Sequence, residues 1–256
     1  MSEPASLEVR DLSLNAGAAA LVRGASFRLG SGAFVALLGP NGAGKTSLIR
    51  GALGLIKPSA GWARIDGREA ATLSPAQRAR RVAYLPQRRP LAWPNRVRDV
   101  VALGRFAHGA ALGRLGAADA AAVDRAIAAC GLADLAERRT DTLSGGELAR
   151  VHSARVFASG APLLIADEPT AALDPRRQFE ILDLIRSFTA QGGGALVALH
   201  DVPLAARYAT RMIWMKEGRI LADGPPEETV TAERLRAVYG VRALVEEGRI
   251  TFLGAA

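Results

Sequence analysis

Gly39-Pro-Asn-Gly-Ala-Gly-Lys-Thr46 holds the residue types that grip a phosphate chain, at the spacing such a grip requires. The pattern G-x-x-x-x-G-K-[ST] forms a loop whose backbone N–H groups cradle phosphates. Gly42 and Gly44 admit backbone angles and close approaches that a β-carbon would forbid. Lys45 would reach the β- and γ-phosphates, and the Thr46 hydroxyl would ligate Mg²⁺. A second group stands far along the chain, where the apolar run Leu163-Leu-Ile-Ala166 ends in Asp167 and Glu168. Adjacent acids on a strand point to opposite sides, so one can hold magnesium through its water shell while the other faces the attacking water. We assign Asp167 to the metal and Glu168 to the water. Phosphoryl transfer asks a protein mainly for positioning, charge stabilisation and a group that orients the nucleophile. Alone, the two acids would equally be a turn capping a strand; the phosphate loop decides between the readings.

Leu143-Ser-Gly-Gly-Glu147 is the third group. Ser144 and Glu147 are spaced as a capping box, with which any ordinary helix can begin. Gly145 and Gly146 argue for more, because a cap needs no pair of residues without side chains. They let an anion approach the N–H groups at a helix N-terminus. Helix capping and phosphate binding share this geometry, and the other two groups favour phosphate.

These residues need elements to position them. Leu7 to Leu14 alternates apolar and polar residues, which predicts a half-buried strand. Phe34-Val-Ala-Leu-Leu38 is continuously apolar and suits a strand covered on both faces. It runs into the phosphate loop, and Lys45 to Ile56 reads as the helix that turns its positive end to the anion. Ser74-Pro75 marks another helix start, and a short strand over Arg81 to Leu85 leads to Gln87. From Arg88 to about Ser159 alanine-rich amphipathic segments dominate (Ala117 to Cys130, Leu148 to Ala158), separated by Gly113, Gly116 and Gly131. We divide the chain into a body of residues 1–87 and 160–256 and an inserted helical subdomain of residues 88–159. Strand signals resume at Leu163 to Ala166 and Ala195 to Leu199. Between them Asp174-Pro175 opens a helix with Glu180, Asp183 and Arg186 on one face and Phe179, Leu182 and Ile185 on another. Hairpins are expected around Glu217-Gly218 and Glu247-Gly248. Strands alternating with helices imply an α/β core with a mostly parallel sheet.

At 256 residues, 49% hydrophobic and 23% charged, the composition is that of a soluble globular protein. Charges interrupt every apolar run before it reaches membrane-spanning length, and Glu3, Glu8 and Asp11 oppose a secretory signal. Cys130 is the single cysteine, so an internal disulfide and a multi-cysteine metal site are excluded. It shares an apolar face with Val123 and Ile127 and reads as a packed core thiol. The net charge of +8 is spread along the chain without a Lys/Arg block or interleaved aromatics, so no nucleic-acid partner is expected.

Taken together and in this order, the motifs resemble those of the ATP-binding subunits of ABC transporters, and the similarity runs from about Leu7 to at least Gly240. Gly39 to Thr46 resembles the Walker A loop, Gln87 the Q-loop glutamine, and Leu143 to Glu147 the family signature. Leu163 to Asp167 resembles Walker B, with Glu168 at the catalytic glutamate position. Ala172-Leu-Asp-Pro175 resembles the D-loop, and His200 the switch histidine. The resemblance implies a P-loop NTPase core with an antiparallel N-terminal β region, with ATP and Mg²⁺ as ligands. It implies that Gly39, Pro40, Asn41, Gly42, Ala43, Gly44, Lys45, Thr46 and Ser47 hold the nucleotide. Thr46, Gln87 and Asp167 would serve the metal, and Glu168, His200 and Gln87 catalysis. It further implies a head-to-tail homodimer, in which Ser144, Gly145, Gly146 and Glu147 meet the ATP of the partner subunit and Asp174 lies in the D-loop. Transmembrane permease subunits would anchor the chain to the cytoplasmic face of the inner membrane, and a periplasmic substrate-binding protein would belong to the same system.

One departure stands out. Family members usually carry an adenine-stacking aromatic near the end of the first strand, where this chain reads Leu14-Asn-Ala-Gly17. Weaker base discrimination is expected. Tyr84-Leu-Pro-Gln87, Val101-Ala-Leu-Gly-Arg-Phe106 with His108, and His200 to Tyr208 are similar to importers of iron chelates, haem and cobalamin. An exporter subunit would share the catalytic motifs; a soluble nucleic-acid-associated ATPase would usually add a second ATPase half, coiled-coil inserts or zinc modules.

Overall fold

Strand β1 (Ser6–Ala16) buries Leu7 and Val9, then Leu12 and Leu14, and the extra residue in that alternation is taken up by a bulge. Asp11 adopts φ +47° there, which returns the later leucines to the inner face. The computed structural model describes residues 5–87, 91, 93–110, 114–171, 173–246 and 248–256. The expectations that touch Glu3, Arg88, Gly113, Ala172 and Glu247 lie, at those residues, outside the described ones.

The chain forms two compact units, one of residues up to Thr72 with Gly194–Ala256, the other Leu73–Gly193. In the first, β1 pairs antiparallel with β2 (Ala19–Gly30). After β3 (Phe34–Leu38) and α1 (Lys45–Ala52), β1 pairs on its other side with β4 (Ala60–Ile65), which carries β5 (Arg68–Glu69). Helix α1 is shorter than the expected Lys45 to Ile56. It stops at Ala52 because Gly54 turns left-handed at φ +66°.

The second unit opens with α2 (Pro75–Ala79), whose start is the expected one: Ser74 and Gln77 form a reciprocal capping box. Strand β6 (Val82–Leu85) follows. Among the described residues after it come α3 (Val97–Ala102), the 3₁₀ turn Leu103–His108, α4 (Ala117–Ala129) and α5 (Gly145–Ala158). Val97, Val100, Val101, Val123, Ile127, Val151 and Ala154 close a core around Cys130. Strand β7 (Leu163–Asp167) then lies parallel to β6, with Val82 opposite Leu163 and Leu85 opposite Ala166. Helix α6 (Pro175–Ala190) buries Ile181, Leu182, Ile185 and Thr189, so Phe179 falls at the margin of its inner stripe.

Back in the first unit, β8 (Gly194–Ala198) lies parallel to β3. After α7 (Val202–Tyr208), β9 (Arg211–Lys216) takes the other side of β3, also parallel. β10 (Arg219–Gly224) returns antiparallel through Glu217 and Gly218, both left-handed, as a two-residue hairpin requires. The chain continues through α8 (Pro226–Thr229) and α9 (Ala232–Tyr239) to the hairpin of β11 (Val241–Glu246) and β12 (Arg249–Ala255). β3 is buried throughout and flanked by β8 and β9, which explains its unbroken apolar sequence.

Candidate nucleotide site

The phosphate loop joins the C-terminal end of β3 to the start of α1, so it stands on a strand fixed from both sides. Gly44 is the N-cap of α1, with φ +99° and no side-chain bond to the first turn. That turn carries no acidic residue either. No side chain of that first turn or its cap competes for these N–H groups, which suits anion binding at a helix start. A β-carbon on Gly44 would stand 2.5 Å from the Leu21 carbonyl oxygen, so the glycine is required by close packing as well as by angle.

Lys45 is only 5% exposed. Its ammonium donates to the carbonyl oxygens of Gly39 at 2.7 Å and Pro40 at 3.2 Å, folding the loop over its own side chain. A further tie is invisible in the sequence. The Gly39 N–H donates to the Tyr239 hydroxyl at 3.0 Å, from a position 200 residues away. Burial pushes the Tyr239 phenol up to about 12, against the Gly39 bond, which lowers it. Its ring meets Trp214 edge-on at 6.4 Å between centroids. His200 belongs to the same unit; it is exposed and follows β8 and Leu199. The next helix is capped by its neighbour Asp201, whose carboxylate accepts from Leu204 N at 2.7 Å.

The other groups belong to the second unit. Asp167 is the last residue of β7 and is fully buried. The two acids do not share a strand as expected. β7 ends at Asp167, and Glu168 turns left-handed at φ +53° ahead of Pro169. Pairing with β6 stops at Ala166, which frees the next peptides to turn. The two side chains are thus separated by a backbone turn rather than by strand alternation. A left-handed non-glycine residue is strained, and such strain gathers at functional sites. The parallel pairing brings Gln87 to the same end, and its Nε2 donates to Glu168 Oε2 at 2.5 Å.

At the signature, the capping box forms: Ser144 Oγ accepts from Glu147 N at 3.3 Å. Glu147 Oε2 accepts from Ser144 N and Ser144 Oγ, each at 2.8 Å. These Ser144 donors hold the Glu147 carboxyl below its usual range. Yet β-carbons on Gly145 and Gly146 would meet nothing within 4 Å. Among the described residues no contact requires glycine at either position. Asp174 caps α6, its carboxylate accepting from Arg177 N at 3.0 Å.

A strand-borne phosphate loop, a buried aspartate ending one strand and a glutamine-bound glutamate after it define a nucleotide-hydrolysing cassette. Residues 22–171 match the family model described as ABC transporter. The chain belongs to the ABC transporter family and is an ATP-binding, ATP-hydrolysing subunit of it. It is 41% identical over 245 residues to the hemin import ATP-binding protein HmuV of Pseudomonas entomophila, spanning 94% of each chain. It is 40% identical over 215 residues to the cobalamin import ATP-binding protein BtuD of Halobacterium salinarum, spanning 84% of this chain and 54% of that protein. Among solved structures, an ATP-binding subunit of an ABC transporter superposes with a TM-score of 0.77 at 27% identity, spanning 92% of this chain and 95% of the other. A dimeric bacterial ABC transporter cassette superposes at 0.75 and 23% identity, over 86% of this chain and 98% of that one, which shows the fold alone.

Proposed function

We propose that two copies of this chain close head to tail on ATP and hydrolyse it to drive import of haem, another iron chelate or cobalamin. The observation that carries the dimer is the open space around Gly145 and Gly146: two glycines with nothing to avoid among the described residues of their own chain suit something that arrives from outside. In this reading Ser144, Gly145, Gly146 and Glu147 meet the γ-phosphate of ATP held by the partner subunit. The loop from Gly39 to Ser47 wraps the β- and γ-phosphates, with Lys45 turning from its own carbonyls to the anion. Glu168 takes the attacking water, Gln87 holds Glu168 in place, and His200 grips the γ-phosphate. Asp174, in the D-loop, fixes the start of α6 beside the acidic pair in sequence.

Oxygen donors on Thr46, Gln87 and Asp167 suit Mg²⁺, a hard cation that prefers oxygen ligands and keeps several waters. When bound, Mg²⁺ supplies neutralisation of the charge on the phosphates. The glycine-built cradle and the uncapped start of α1 fit the triphosphate that brings it.

Among the described residues no helix is long and apolar enough to cross a membrane. In this reading the cargo passes through permease subunits, which hold this chain at the cytoplasmic face of the inner membrane, and a periplasmic binding protein delivers the cargo to them. Among the described residues of the second unit, Trp93 and Phe106, 66% and 50% exposed, are the large apolar side chains available to such a permease. The likeness to hemin import proteins over 94% of the chain favours an importer of a metal chelate.

Glu168→Gln should bind ATP and form a stable dimer by light scattering while turning over very slowly. Gly146→Val should fold with parent stability yet fail to dimerise with ATP. A Gly146→Val chain that dimerises and hydrolyses as the parent does would end the head-to-tail reading.

A further inference from the structure

A cavity of about 450 Å³ opens in the second unit between the end of α4 and facing stretches of α5 and α6, a size that takes a small molecule. Its polar wall is Arg150, which is only 9% exposed. Arg150 Nη1 donates to the carbonyl oxygens of Cys130 at 3.2 Å and Gly131 at 2.7 Å, which anchors the guanidinium against the end of α4. Among the described residues, Arg150 Nε and Nη2 meet no acceptor, and Nε is buried. These two nitrogens form the side-on fork of a guanidinium, the edge whose parallel N–H groups match the two oxygens of a carboxylate. A buried donor without an acceptor is destabilising, so a fork kept free in this way suits an acceptor brought from outside.

The carboxylates that line the same cavity do not supply it. Glu180 accepts from Arg176 Nε at 3.1 Å and from Arg177 Nη1 at 2.6 Å. Asp183 accepts from Arg186 Nη2 at 2.8 Å. Charge around the cavity nearly balances, since Arg150 and Arg177 line it together with these two acids, and Asp174 and Glu147 act on Arg177 as well. A dianion such as phosphate would meet repulsion from the acids, whereas a monoanion seated on the fork supplies the absent partner. The remaining wall carries the apolar side chains of Ala129, Ile181 and Leu184. We propose that this cavity binds a small organic monocarboxylate, its two oxygens on Arg150 Nε and Nη2 and its apolar body against Ala129, Ile181 and Leu184. The site shares no residue with the phosphate loop, the acidic pair or the signature, and it stands whether or not two copies close head to tail.

The probe is hexanoate, titrated into the full chain carrying isotope-labelled arginine. The Nε–H resonance of Arg150 should move saturably, with half-saturation in the millimolar range or below. Hexanoate should also raise Tm, as a ligand of the folded chain must. Hexanol, which has the apolar body without the pair of oxygens, should do neither at equal concentration, and nor should inorganic phosphate. Arg150→Lys keeps the charge and a donor for the Cys130 and Gly131 carbonyls but loses the fork, so binding read from the Tm rise should weaken at least about tenfold. Ala129 is exposed at the end of α4, so Ala129→Phe should keep the parent's urea midpoint while plugging the cavity and abolishing the shift at Arg150. An Arg150 resonance that hexanoate leaves unmoved overturns the proposal even if Tm rises, because the ligand then sits elsewhere. An equal shift with hexanol, or tighter binding of phosphate than of hexanoate, overturns the assignment to a monocarboxylate. Parent-like binding by folded Ala129→Phe places the ligand outside the cavity and overturns it too. Should Arg150→Lys fail to fold, the parent titration and Ala129→Phe decide.

Discussion

Burial raises both the Cys130 thiol, from its ordinary 9.0, and the Tyr239 phenol, from 10.0, to about 12. Folded and unfolded chains alike hold these protons well below pH 9, so their burial contributes fully near neutral pH. As pH rises from 9 toward 12 the unfolded chain ionises first, and stability falls. Urea midpoints at about pH 8 and about pH 10.5 should show this loss, and Cys130→Ala should reduce it. A buried neutral thiol is also a poor nucleophile, so Cys130 should label with maleimide only on unfolding. Chemistry at Glu168 is a separate matter. Removing a group that handles the water's proton should cost about 10²–10⁴-fold in kcat, measured by phosphate release from Glu168→Gln. Lys45→Ala should instead abolish nucleotide binding, read by equilibrium titration. The types and spacing of these residues were legible in the sequence. The left-handed turn at Glu168 and the Gln87 bond were not, because both depend on where β6 and β7 stop pairing.

Local signals predicted elements well where a few neighbouring residues decide. Ser144 forms the capping box that its spacing with Glu147 announces, and Ser74 and Asp174 cap α2 and α6 as Ser-Pro and Asp-Pro suggest. Asp174→Ala should therefore cost ~1 kcal/mol in urea unfolding, and Asp174→Asn should recover most of it. Signals failed where distant chain intervenes. The bulge in β1 adds a residue that periodicity cannot count, and α1 gives way at Gly54 before its apolar pattern ends. Nothing near His108 in sequence reveals that Ser159 waits 51 positions away. Gly104 was equally mute, since its reason is the carbonyl of Arg155.

The chain as a whole was recognisable because its motifs keep their order, and order survives sequence change that erases most side chains. At 20–27% identity the same arrangement of elements recurs in solved neighbours. The same comparison isolates what is particular here. Asn15, Ala16 and Gly17 are exposed at the turn between β1 and β2, and none offers an aromatic face to a base. GTP should compete with ATP more effectively than in relatives that carry that aromatic, as measured by displacement of a fluorescent nucleotide. An undiminished preference for ATP would show that another group grips adenine. The bond between Gly39 and Tyr239 sets the length of chain that catalysis needs. A polypeptide trimmed after Gly240 retains the phenol that steadies the loop; one trimmed after Arg236 does not. Limited proteolysis should accordingly yield an active core that ends beyond Tyr239, and shaving off the terminal hairpin should leave turnover intact.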